Sequence, residues 1–214
     1  MRSIALIDYG SGNLRSAEKA LLKANQALGT PCAIHTTADP EIVAAADAIV
    51  LPGVGAFAAC MAGVESKPGL IEALDEAVQT RGAPFLGICV GMQLLATRGK
   101  EFGETPGLDW IGGEVRRLVV HDHAFKIPHM GWNALEDVAD HPLFAGLKTG
   151  DHMYFTHSFA FFPDDKNAVA ATTDHGGHFP VTVTRDNVAG VQFHPEKSQA
   201  AGLKLLGNFL EWRP

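Results

Sequence analysis

Nowhere in the 214 residues do about 18 apolar residues follow one another, the run a membrane-crossing helix needs. Basic blocks are also missing. With 17 Lys and Arg against 24 Asp and Glu the formal charge is −7, which argues against a partner held by its phosphates, so neither a nucleic acid nor a membrane is expected. The opening stretch MRSIALIDYG has an apolar run from Ile4 to Ile7 and then Asp8, too short for the core of a signal peptide. A soluble, cytoplasmic protein is expected. Cysteine is scarce: Cys32, Cys60 and Cys89 are odd in number and far apart, which suits neither a disulfide framework nor a zinc knuckle. Cys32 and Cys60, in PCAIHT and FAACMAG, read as small buried hydrophobes. Repeats, low-complexity runs and Pro/Ser-rich linkers are absent, and glycine and proline are scattered as turn punctuation, so residues 1–214 are expected to form one domain.

What is there is an alternation of apolar, β-rich runs with helical ones. SIALIDYG, PCAIHTT, DAIVLPG and APFLGIC read as strands, while NLRSAEKALLKANQAL, PEIVAAA, GAFAACMAGV and GLIEALDEAVQTR read as helices. Continuously apolar strands joined by helices are the pattern of a parallel sheet covered on both faces. From about residue 110 the texture changes to short strand-like segments, WIGGEVRRLVV, DHMYFTHSFAFF, NAVAATT, FPVTVTR and NVAGVQFH, before a closing helix, AAGLKLLGNFLEW. The expected fold is α/β, a three-layer sandwich with a mostly parallel central sheet and antiparallel additions to it in the C-terminal half.

Gly87-Ile88-Cys89-Val90-Gly91 has the spacing of a nucleophile elbow with cysteine at its apex. A sharp strand-to-helix turn crowds the central residue, and neighbours without a Cβ relieve the clash. The thiol would stand at the start of a helix, VGMQLLATR, where the helix dipole favours a thiolate. A buried core cysteine flanked by glycines fits the same pentapeptide. A second segment, GVQFHPEKS, bears on the choice. Pro195 pushes His194 toward extended backbone, where side chains at i and i+2 share a side, so His194 and Glu196 are expected to face one way. A carboxylate beside an imidazole can hold its tautomer, giving a Cys…His…Glu order of nucleophile, base and orienting group. The N–H of Val90 is the first candidate donor to an oxyanion, and the loop Pro52-Gly53-Val54-Gly55, through Gly53 and Val54, the second.

With GICVGMQ, LPGVG and FHPEKS together, the sequence resembles the class I, triad-type glutamine amidotransferases, which implies a flavodoxin-like architecture. IDYGSGNLRS, LPGVGAF, KIPHMGWN, YFTHSF and GVQFHPEKSQ narrow the likeness to glutaminase subunits of imidazole glycerol phosphate synthase, from residue 7 to about 209. The resemblance implies that Cys89 attacks the side-chain amide of glutamine, with His194 and Glu196 managing protons, and that no cofactor is needed. It implies glutamine contacts at Gly55, Gln93 and the Ser158-Phe159 backbone; spacing alone also fits Gln93 as a polar residue on a helix surface. The implied partner is a (β/α)8-barrel cyclase subunit in a heterodimer, with Asn13, Tyr154 and Lys197 near the contact or an ammonia passage. Phe159 and Thr156 depart from the tyrosine and β-branched aliphatic residue of many relatives.

Two histidine pairs invite a metal, His121-Asp122-His123 and His175-Gly176-Gly177-His178, but no cysteine or carboxylate set completes either at zinc spacing, and no metal is expected. DYGSGN has Arg15 where a dinucleotide fingerprint wants its third glycine, and reads as a βα turn shaped for a partner surface.

Overall fold

The computed structural model describes residues 1–121 and 124–214. The first half runs β1 (Ser3–Ile7), α1 (Leu14–Gln26), β2 (Ala33–Thr37), α2 (Pro40–Ala45), β3 (Ala48–Gly53), α3 (Phe57–Glu65), α4 (Leu70–Asp75), β4 (Phe85–Cys89) and α5 (Val90–Gln93). The second half holds β5 (Arg98–Gly99), β6 (Thr105–Pro106), β7 (Gly113–Arg117), β8 (His129–Ala134), β9 (His152–His157), β10 (Phe159–Pro163), β11 (Val169–Asp174), β12 (His178–Arg185), β13 (Val188–Val191) and α6 (Gln199–Glu211).

The main sheet has the order β11-β12-β13-β4-β3-β1-β2, parallel from β2 to β13 and antiparallel beyond. Every residue of β3 and β4 is buried, the consequence of helices on both faces. Right-handed crossovers decide which helix goes where. The chain steps one way from β1 to β2 and the other way from β2 through β3 to β4, so α1 falls on one face and α2, α3 and α4 on the other. The apolar stripe of α1, through Ala17, Ala20, Leu21 and Ala24, is buried, and α6 packs beside that helix. Asp39 caps α2 by accepting from the Glu41 N–H, with Pro40 at its first position, as the sequence PEIVAAA suggests.

The expectation of antiparallel additions to the sheet holds for β12 and β11. It fails for the remaining C-terminal strands: β10-β7-β5-β6 form a separate four-stranded sheet and β8-β9 a two-stranded ribbon. DHMYFTHSFAFF, expected as one strand, breaks at Ser158 into β9 and β10, because the two halves alternate toward different partners, β8 for one and β7 for the other. VGMQLLATR also departs from expectation. Its helix stops after one turn, since Leu94, Leu95 and Ala96 are all buried and their carbonyls accept from Leu108, Ile111 and Asp109 instead of continuing the helical ladder. No helix among the described residues is long and apolar enough to cross a membrane.

Candidate active site

Cys89 ends β4 with φ 56° and ψ −110°, a backbone conformation that costs a non-glycine residue of order 1–3 kcal/mol. Its flanking glycines are sterically required. A Cβ on Gly91 would overlap the Leu51 carbonyl, and one on Gly87 would overlap the backbone at Gly91. Both obstacles are main chain, which cannot swing aside. The pentapeptide is therefore an elbow in geometry, with the cysteine at its apex.

His194 and Glu196 come from the loop after β13, the strand hydrogen-bonded to β4. His194 Nδ1 lies 2.8 Å from Glu196 Oε1, and the two side chains are only 2% and 3% exposed. The route to this contact differs from expectation. His194 is extended, at φ −102° and ψ 96°, but Pro195–Lys197 is a 3-10 turn, so the carboxylate curls back from inside a turn instead of projecting from the same strand face. Proline at its first position sets that turn. Ser198 locks it, donating through Oγ to the His194 carbonyl at 2.7 Å and accepting from the Tyr154 N–H at 2.9 Å.

Burial works against a charged His194, but interactions with the Cys89 sulfur and the Glu196 carboxylate outweigh it and raise the imidazole to about 9. His194 Nε2 is itself buried without an aligned hydrogen bond. Cys89 and His194 line one cavity of about 420 Å³, together with Val54, Gly55, Val90, Gln93, Glu101, Thr156, His157, Ser158, Phe159 and Lys197.

The loop after β3 begins beside the elbow. Gly53 pairs with Cys89 at the end of the β3–β4 ladder, and a Cβ on Gly53 would come within 2.7 Å of the Gly91 nitrogen. The Val54 carbonyl accepts from Ser11 Oγ at 2.8 Å and Cys60 Sγ at 3.3 Å. Cys60 is fully buried, as the sequence suggests, and also holds this loop. The DYGSGN turn, through Ser11, rests on the loop rather than standing apart from the site. Gly55 has φ 99° and open space around it.

Gln93 is 3% exposed and so is not a helix-surface residue. Its Nε2 donates to the Phe159 carbonyl at 3.0 Å and to Gln192 Oε1 at 2.9 Å, which leaves its own carbonyl oxygen for a ligand. The Ser158 carbonyl accepts from the Leu118 N–H, so both carbonyls of the Ser158-Phe159 segment are committed within the protein. Tyr154 and Lys197 are neighbours, with Lys197 Nζ 5.6 Å from the centre of the Tyr154 ring. Trp132 meets Tyr154 edge-on at 6.0 Å and is 47% exposed beside the exposed Met130. Asn13 lies at the start of α1, at the end of the turn that carries Ser11.

Gln192, Glu101 and His157 were not singled out from the sequence. Gln192 is fully buried and points Nε2 at Cys89 Sγ, 3.7 Å away. The glutamine two residues before His194 in VQFHPE was on view, but only the parallel pairing of β13 with β4 shows where it points. Glu101 accepts from the Phe57 N–H at 2.8 Å and lines the cavity, and no local motif marks it.

Of the two histidine pairs, Asp122 and His123 lie outside the described residues. His175 Nε2 donates to the Lys126 carbonyl at 2.8 Å, whereas His178 faces Glu136 at 3.0 Å, so the pair serves separate partners.

The chain has relatives among known proteins. The family model described as glutamine amidotransferase class-I matches residues 5–212. The imidazole glycerol phosphate synthase subunit HisH of Caulobacter vibrioides is 61% identical over 214 residues, covering 100% of both chains, and that of Rhodospirillum rubrum is 55% identical over 99% of each. A solved glutamine amidotransferase structure superposes with a TM-score of 0.70 at 22% identity, covering 97% of both chains, a likeness of fold. An elbow cysteine, a buried His–Glu pair and this match along nearly the whole chain lead to one statement: the chain belongs to the class I glutamine amidotransferase family.

Proposed function

We propose that this chain is the glutaminase subunit of an imidazole glycerol phosphate synthase. It hydrolyses glutamine to glutamate and ammonia, and the ammonia feeds a cyclase subunit that makes imidazole glycerol phosphate and an aminoimidazole carboxamide ribonucleotide in histidine biosynthesis. The observation that carries this reading is that a strained elbow cysteine shares one cavity with His194, itself held by the buried Glu196, in a chain 61% identical end to end to a HisH subunit.

In this reading the Cys89 thiolate attacks the side-chain amide carbon of glutamine, and the negative charge developing on oxygen is met by the Val90 N–H and the Gly53–Val54 loop. His194, held by Glu196, gives a proton to the departing nitrogen, so ammonia leaves and a thioester remains on Cys89. Neutral His194 then takes a proton from water, the hydroxide adds to the thioester carbon, the C–S bond breaks and glutamate departs. Glutamine carries an ammonium and a carboxylate at its far end. Glu101 and the free carbonyl oxygen of Gln93 suit the ammonium; Gly55 and the Ser158-Phe159 backbone complete the substrate contacts.

The partner we assign is a (β/α)8-barrel cyclase forming a heterodimer, with Asn13, Tyr154 and Lys197 at the contact or the ammonia passage. The exposed Trp132 and Met130 next to Tyr154 support that placement, because large apolar side chains left in water call for a cover. A closed passage has a chemical motive, since ammonia released to water is protonated and ceases to be a nucleophile.

Covalent labelling tests the assignment. A glutamine-analogue electrophile should modify Cys89 in the assembled complex, with Cys32 and Cys60 spared, and glutamine turnover should rise when the ligand-loaded cyclase is added. Unlabelled Cys89 in that complex would leave a binding module in place of an enzyme.

A further inference from the structure

Two buried histidines with no part in the proton transfers above form a chain that ends on the nucleophile. His129, on β8, lies between the Phe155 ring at 4.6 Å and the His175 ring at 4.1 Å, and its Nδ1 is 3.1 Å from His157 Nε2. His157 Nδ1 is 2.9 Å from the Phe159 carbonyl. At the other end Asn133 Nδ2 approaches His129 Nε2 at 3.3 Å.

One atom fixes the direction of every hydrogen bond in this series. The Phe159 carbonyl can only accept, so His157 carries its proton on Nδ1, and in a neutral ring its Nε2 must accept. The proton between the two rings therefore belongs to His129 Nδ1, and His129 Nε2 accepts from the Asn133 amide. Asn133 is oriented independently: its Oδ1 takes the Ala134 N–H and its Nδ2 also donates to the Asp174 carbonyl. Burial first, then the neighbouring imidazoles, hold His129 down to about 3 and His157 to about 4, in keeping with two neutral rings.

The same carbonyl works in the other direction. It forces Gln93 to present Nε2, which donates both to Phe159 and to Gln192 Oε1. Gln192 then has Nε2 left over, and that group faces the Cys89 sulfur at 3.7 Å.

The geometry points to His129 and His157 as positioning residues: with Asn133 they fix the Phe159 carbonyl, which sets the Gln93 and Gln192 amides so that an N–H faces the nucleophile. This deepens the proposed glutaminase reading and rests on it. Both ring nitrogens of His157 are engaged, so it lies beside His194 without serving as a second base.

The wild-type protein supplies the first test. Two-bond 1H–15N spectra of 15N-histidine-labelled full-length chain should show two histidines as neutral Nδ1–H tautomers that do not titrate between pH 5 and 8; an Nε2–H tautomer or a titration in that range at either site overturns the assignment.

The second test is kinetic, on the complex with its cyclase. His157→Leu should lower kcat/KM for glutamine about tenfold, the worth of one lost hydrogen bond. His157→Asn, which keeps a donor near the Nδ1 position, should restore it to within about threefold. In a Gln93→Leu background His157→Leu should add little, because both act through one carbonyl. Full additivity, or no rescue by asparagine, would indicate a role in packing alone and sink the proposal.

If wild-type complex turned over no glutamine, the functional reading would fall. The chain of bonds would then be judged by the rate at which iodoacetamide alkylates Cys89. The rate should change severalfold in His157→Leu, and an unchanged rate in folded protein would contradict it. Should that variant not fold, His129→Leu carries the same expectations.

Discussion

Glu196 reaches His194 across a single proline, 2.8 Å from carboxylate oxygen to Nδ1, with both side chains withdrawn from water. Because the imidazole is raised to about 9, the alkaline limb of glutaminase activity should fall near that pH as His194 loses the proton the departing nitrogen needs. Glu196→Gln removes one of the interactions that raise it, so the limb should move to lower pH. The rate should drop by roughly 10²–10⁴-fold. A pH profile of kcat/KM for wild type and variant checks both; an unmoved limb would separate the carboxylate from the imidazole's charge.

Gly91→Ala should be among the most damaging small substitutions in the chain. The new methyl would meet the Leu51 carbonyl, part of the main sheet, and neither backbone can yield. A loss of about 1–3 kcal/mol or more follows from such overpacking. Urea denaturation gives the number. Gly29→Ala, where a Cβ meets nothing, serves as the control and should stay within about 1 kcal/mol of wild type.

Acid should weaken the fold through His129 and His157. Both are held below the ordinary histidine value, so between about pH 6.5 and 4 the unfolded chain binds protons that the folded one refuses. Stability then rises with pH across that window, by at most about 1.4 kcal/mol per pH unit for each histidine. His194 acts in the opposite sense and in another window. Its raised value contributes stability that is fully present below about 6.5 and is lost as pH rises through about 9. Chemical denaturation at several pH values should show the acid slope in wild type and a shallower one in His129→Leu.

Much of this arrangement was legible in the sequence where local physics demands it. β3 and β4 read as strands because both faces are covered and every residue is apolar or small, and the elbow read from glycines that the backbone leaves no room to replace. His194 and Glu196 do face each other, through a 3-10 turn instead of a strand face. What lay hidden depends on distant pairing. Gln192 touches Gln93, 99 residues away, only because β13 pairs with β4, and nothing local to either glutamine encodes it. The helix after Cys89 is shorter than its sequence suggests: Leu94, Leu95 and Ala96 suit a helix, but their carbonyls are claimed by the N–H groups of Leu108, Ile111 and Asp109.

Cys89→Ala, assayed in the reconstituted complex, tests the central claim most directly. Glutamine-dependent synthesis by the cyclase should vanish, while synthesis from added ammonia should proceed at the wild-type rate, since the variant removes one sulfur from an otherwise intact fold. Persistence of glutamine-dependent synthesis, or loss of both activities together, would contradict the assignment of Cys89 as the nucleophile.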